Sequence, residues 1–160
     1  MWQRWLGRLW RRAPKSVRVW CVRLFEARFT VTAGAVVINE SGRVLLLEHV
    51  FRKGSGWGIP GGFLKKGEQP EEALRRELRE EIGLELQNLE FAFARTLRWP
   101  TQVEIIFRGR PRGQPSPRSF EIKSIAWVAP EALSRHLSPD QRRLVERALN
   151  GKAERAMSHE

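Results

Sequence analysis

Cysteine and histidine are scarce in this chain, and long apolar runs are absent. Cys21 is the single cysteine, so no intrachain disulfide can form, which fits a reducing compartment such as the cytoplasm. His49, His136 and His159 are scattered, and with one cysteine they make no zinc constellation. No stretch of about 18 residues is apolar enough to span a bilayer. Arginines interrupt every candidate hydrophobic segment of a signal peptide, so no secretory leader is expected. No segment repeats.

Acids are scarce only at the N-terminus. The 160 residues carry a net charge of +11, and residues 1–30 hold eight basic side chains against the single acid Glu26. The extreme basicity therefore belongs mostly to an arm, residues 1–29, and the body carries the smaller share. In the arm, Trp2, Trp5, Leu6, Leu9 and Trp10 recur at helical spacing, with Arg4, Arg8, Arg11 and Arg12 between them. Pro14 breaks that pattern, and Val17, Trp20, Cys21, Leu24 and Phe25 begin a second one. Three uses compete for this apolar stripe. It packs on the body or on the same stripe of a second subunit, as a homodimer; it lies in an anionic membrane surface; or its basic and aromatic residues grip nucleic acid, although no recognised binding motif is present.

The body, residues 30–150, reads as strands with two helical regions. Thr30 to Ile38 and Arg43 to Val50 are β-rich and flank the turn Asn39-Glu40-Ser41-Gly42, which predicts an antiparallel hairpin. Phe51 to Gly58 is a glycine-containing loop. Leu86 to Leu97 and Gln102 to Arg108 are further strands, and Gly109 to Ser119 is a mobile loop by composition. Phe120 to Val128 is the last strand. Helices follow at Pro130 to His136 and Pro139 to Leu149, the second capped by Ser138 and ended by Asn150-Gly151. Residues 151–160 are expected to be a disordered tail. This mixture argues α/β or α+β layers without fixing the strand order.

The central helix is the most informative element. Pro70 suits a first turn, Glu71 and Glu72 sit where the helix dipole favours anions, and Gly83 suits the end. Ala73, Leu74, Leu78 and Ile82 form the apolar stripe. Glu77, Glu80 and Glu81 fall within roughly 100° of arc beside it. Like charges so spaced repel, so a cationic partner is required. Arg76 can bridge part of the cluster, and hard oxygen ligands of this kind suit Mg²⁺ or Mn²⁺ for the rest.

The run from Gly62 through Glu68 to Arg76-Glu77-Leu78-Arg79-Glu80-Glu81-Ile82-Gly83-Leu84 resembles the signature box of the Nudix hydrolases at every defined position. Trp57-Gly58-Ile59-Pro60-Gly61-Gly62 resembles the usual lead-in. The resemblance implies an α/β/α sandwich around a mixed sheet over residues 30–150, with the helical basic arm outside it. It implies a hydrolase of pyrophosphate linkages in nucleoside diphosphate derivatives, with a nucleotide-type substrate. It further implies that Glu77, Glu80 and Glu81, with the Gly61 carbonyl, bind the metal. Glu68 and Arg76 are then a structural pair, and Gly62 and Gly83 structural glycines. The general base differs within the family, and Glu121, ahead of Glu104, is the later-loop candidate here. Arg52, Lys53, Arg98, Trp57, Phe51, Phe63 and Trp99 are candidate substrate contacts, though no specificity motif stands out. A non-catalytic nucleotide-sensing module with the same fold is the alternative.

Overall fold

The computed structural model describes residues 10–25, 27–52, 54–99 and 101–157. Helix α1 is Lys15–Phe25, and the body runs β1 Thr30–Val37, β2 Val44–His49, β3 Trp57–Gly58, β4 Gly61–Phe63, α2 Pro70–Ile82, β5 Glu85–Leu97, β6 Gln102–Arg112, β7 Ile122–Val128 and α3 Pro139–Met157. A 3₁₀ segment, Pro130–Arg135, precedes α3. One sheet has the order β4-β1-β6-β5 and a second the order β3-β2-β7. β1 and β6 run parallel and the other pairs antiparallel, so the four-stranded sheet is mixed.

The two-residue period of the strands divides the core into two layers. Ala33, Ala35, Val37, Leu45 and Leu47 face Leu74, Leu78 and Ile82 of α2. Val36, Val44 and Leu46 face the other way, onto Leu144, Val145 and Ala148 of α3. With both faces covered, β1 and β2 read as near-continuous apolar runs, and the layers are α/β/α. Each fully buried leucine in this stack contributes about 2 kcal/mol by removal from water.

Three expectations are corrected. Strands β1 and β2 do not form a hairpin: they meet only at the Ile38–Val44 bridge and enter different sheets. Both edges of β1 are taken by β4 and β6, and both edges of β2 by β3 and β7. Helix α3 continues through Asn150 and Gly151 to Met157. A glycine stop needs positive φ, and Gly151 is not among the positive-φ residues. The loop after β6 is tied to the end of α2 by backbone bonds: Ser116 N donates to Ile82 O (2.9 Å), and Arg118 N and Ser119 N to Glu81 O (2.8 and 3.2 Å).

In the arm, Pro14 separates a helical turn at residues 10–12 from α1, as expected. Val17, Trp20 and Leu24 are exposed, so the body does not cover that stripe. Trp2, Trp5, Leu6 and Leu9 lie outside the described residues, as does Lys53.

Candidate active site

Helix α2 presents the carboxylates, and its ends fix their height. Pro70 occupies the first turn, and Gln69 N donates to Glu72 Oε2 at 3.0 Å. Gly83 takes the left-handed conformation at φ 65°, its N–H reaching Arg79 O and that of Leu84 reaching Leu78 O.

Arg76 is the hub of the acidic face. Its Nε and Nη2 donate to the two oxygens of Glu68 at 2.7 and 3.0 Å. Its Nη1 reaches Glu77 Oε1 at 2.7 Å and Glu80 Oε2 at 3.4 Å, and Nη2 also reaches Phe63 O at 3.1 Å. One guanidinium thus ties the loop, strand β4 and helix together, which only a planar fork can do. The Arg76 hydrogen bonds, helped by Lys65 N at 2.8 Å, hold the Glu68 carboxyl down to about 2.

Glu81 is different. It is 7% exposed, and its Oε2 has no hydrogen-bond partner. Burial first, then the charges of Glu77 and Glu121, push its carboxyl up to about 7, with Arg52 opposing. Glu77 and Glu80 bond to Arg76, and no three acidic, cysteine or histidine side chains converge as metal ligands among the described residues.

The glycine turn explains how backbone comes so close. Gly61 and Gly62 pair with Gly34 and Ala33 across β1 and β4. Gly61 has φ 150°, and a Cβ there would strike the backbone of β1; a Cβ on Gly62 would strike the Glu77 carboxylate. Beside the turn lies a groove of about 190 Å³, reached by Arg52, Phe63, Gln102, Glu104 and Gln141. Burial lowers the Arg52 pKa, while the charges of Glu81 and Glu104 support its cationic form.

The remaining candidates separate. Glu121 acts on Glu81 through its charge, and its backbone oxygen accepts from Val50 N at 2.8 Å. Glu104 is engaged by Arg95 Nε at 2.6 Å, and Arg95 also grips Asp140 of α3. Trp57 packs edge-to-face on His136, with centroids 5.3 Å apart, so its ring serves the core. Arg98 and Trp99 are exposed in the β5–β6 turn and line no part of the groove. Sequence reasoning missed Gln102, which is 8% exposed with Nε2 on Thr32 Oγ1 at 2.8 Å, and Gln141, whose Oε1 is buried without a partner. It also missed Phe120, which meets Phe51 edge-to-face. No local pattern marks a lone amide or an aromatic as functional.

A family model for the NUDIX domain matches residues 28–148. A MutT-like protein of Streptomyces ambofaciens is 31% identical over 134 residues, covering 82% of this chain and 84% of that protein. The 8-oxo-dGTP diphosphatase of Haemophilus influenzae is 30% identical over 135 residues, covering 78% and 95%. Among solved structures, a nudix hydrolase family member from Chromobacterium violaceum superposes with a TM-score of 0.65 at 26% identity, covering 84% of this chain and 92% of that one.

Proposed function

The chain belongs to the NUDIX family of hydrolases, and on that footing we propose that it cleaves the pyrophosphate linkage of a nucleoside diphosphate derivative with Mg²⁺ or Mn²⁺. The observation that carries this reading is the buried, unpartnered Oε2 of Glu81, one helical turn from Glu77, whose carboxylate lies against the Gly62 backbone. A buried carboxylate oxygen without a hydrogen bond costs about 1–3 kcal/mol or more, and a hard cation offsets that. The donor set fits: Glu77, Glu80, Glu81 and the Gly61 carbonyl are all oxygen ligands. A cation held there would neutralise pyrophosphate oxygens and lower the pKa of a bound water.

The protein's own groups then have separate tasks. Arg76 holds Glu77, whose carboxylate lies against Gly62, and reaches Glu80 at 3.4 Å. Glu68 holds Arg76 in register and, with its carboxyl far below neutrality, stays charged at working pH. Glu121, whose charge acts on Glu81, is the group we assign to accept a proton from the attacking water. Arg52, at the groove, faces incoming phosphate oxygens. The similarity to an 8-oxo-dGTP diphosphatase points toward a nucleoside triphosphate with a purine base. Phosphate or pyrophosphate release from a nucleotide panel, with and without Mg²⁺, tests the reading. Tight binding with no product would instead favour a nucleotide-sensing module.

The arm supports a second, separate role, attachment to the surface of an anionic membrane. Between residues 10 and 25 there are Arg11, Arg12, Lys15, Arg18 and Arg23 and no acid, while Trp20 is 63% exposed on the opposite side from Lys15. Nucleic acid would use the charge but leave the Val17–Leu24 stripe uncovered. No helix among the described residues is long and apolar enough to cross a membrane.

A further inference from the structure

We propose that Phe51 and Phe120 form a stacking platform for the nucleobase of the substrate, an inference that rests on the nucleotide reading above. The two rings come from different loops, yet they meet edge-to-face with centroids 6.1 Å apart and planes at 77°. Phe51 is 72% exposed and Phe120 80% exposed, so pairing has not buried them. An edge-to-face pair leaves open ring faces, which are the surfaces that stack on a base.

Their position gives the pair its meaning. The next residue after Phe51 is Arg52, which lines the groove and acts on Glu81. The next residue after Phe120 is Glu121, which also acts on Glu81. The hydrogen bond from Val50 N to Glu121 O, 2.8 Å, fastens the two loops at this point. In this proposal the diphosphate lies between Arg52 and the α2 carboxylates, and the base reaches out of the groove to the ring pair. Of the other exposed aromatics, Phe63 lines the groove with Arg52 but belongs to no ring pair among the described residues. Trp99 is alone in the β5–β6 turn, and Phe91 packs on Phe107. Two rings are too small for a protein interface, but they match one planar ring system.

The test uses the full chain and the variants Phe51→Ala, Phe120→Ala and Phe120→Leu, all at exposed positions where folding is not at stake. Calorimetric binding of GMP is compared with that of inorganic pyrophosphate, which has no base. Each alanine variant should weaken GMP about tenfold, the range of stacking losses on alanine substitution, and leave pyrophosphate affinity as in the wild type. KM for a nucleoside triphosphate should rise in step. The leucine variant should stay close to alanine, since it restores bulk without a ring face. Equal weakening of GMP and pyrophosphate, no weakening of either, full rescue by leucine, or a wild type that does not bind GMP would each overturn the platform. Hydrolysis across the nucleotide panel is read separately, so a protein that binds GMP through these rings but turns nothing over defeats the hydrolase reading alone.

Discussion

Gly61 faces Gly34 across the β1–β4 pair, and a Cβ on Gly61 would lie 2.6 Å from the Gly34 Cα. The candidate metal site therefore depends on a contact between two backbones, with no side chain between them. Gly61→Ala should destabilise the fold by about 1–3 kcal/mol, from the φ of 150° and the collision together. It should also abolish turnover by moving the 61 carbonyl. Thermal melts and steady-state assays check both, and a stable, active variant would contradict the geometry.

Glu81→Gln should lower kcat at least about a hundredfold at saturating Mg²⁺, because one anionic ligand is lost at the reacting centre. In chelator the same variant should melt no lower than the wild type. The neutral amide removes the cost of a buried carboxylate whose pKa is raised to about 7. A variant with unchanged rate would remove the basis for the metal assignment.

Arg76→Lys keeps the charge and loses the fork. It cannot serve Glu68, Glu77 and the Phe63 carbonyl at once. Activity should fall about 10–100-fold, as for other groups that orient metal ligands, with a higher Mg²⁺ requirement. Titrating Mg²⁺ separates this from a general loss of folding, which excess metal would not correct.

His49 sets a pH dependence of stability. Burial, then the Arg52 charge, lower its pKa to about 4, and its Nε2 is buried without a partner. The fold holds the imidazole neutral, whereas the unfolded chain takes up a proton below about 6.5. The stability tied to this group is present above pH 6.5 and is lost as pH falls toward 4. Melting temperatures from pH 7.5 to 4.5 should drop less steeply for His49→Gln than for the wild type.

Trp20→Glu should abolish sedimentation with vesicles containing phosphatidylglycerol and leave hydrolysis unchanged. The wild type should ignore vesicles of phosphatidylcholine alone and should release in high salt. If the substitution instead changes the oligomeric state in size-exclusion with light scattering, the stripe joins two copies of the chain.

Much of this molecule is written locally. Pro70, the 3.6-residue recurrence of Leu74, Leu78 and Ile82, and Gly83 specify α2 by helix chemistry alone. The box resemblance carried by Gly62, Glu68 and Arg76 implies a loop tied to a helix, and the two bonds from Arg76 to Glu68 make that tie. Local turn chemistry also misleads: Asn39-Glu40-Ser41-Gly42 does turn the chain, but it cannot say that β1 and β2 have other partners on both edges.

The sequence by itself determined the helix and its acidic face, because those depend on spacings of a few residues; the Glu68–Arg76 clamp followed from the family resemblance. The tertiary structure alone decided which glutamate is buried, since Glu77 and Glu81 share a helix face and differ only in what packs over them. It also joined Phe51 to Phe120 and tied the loop at Arg118 and Ser119 to the Glu81 carbonyl, contacts between segments far apart in the chain. Such contacts arise from strand order and sheet packing, and periodicity carries no information about either.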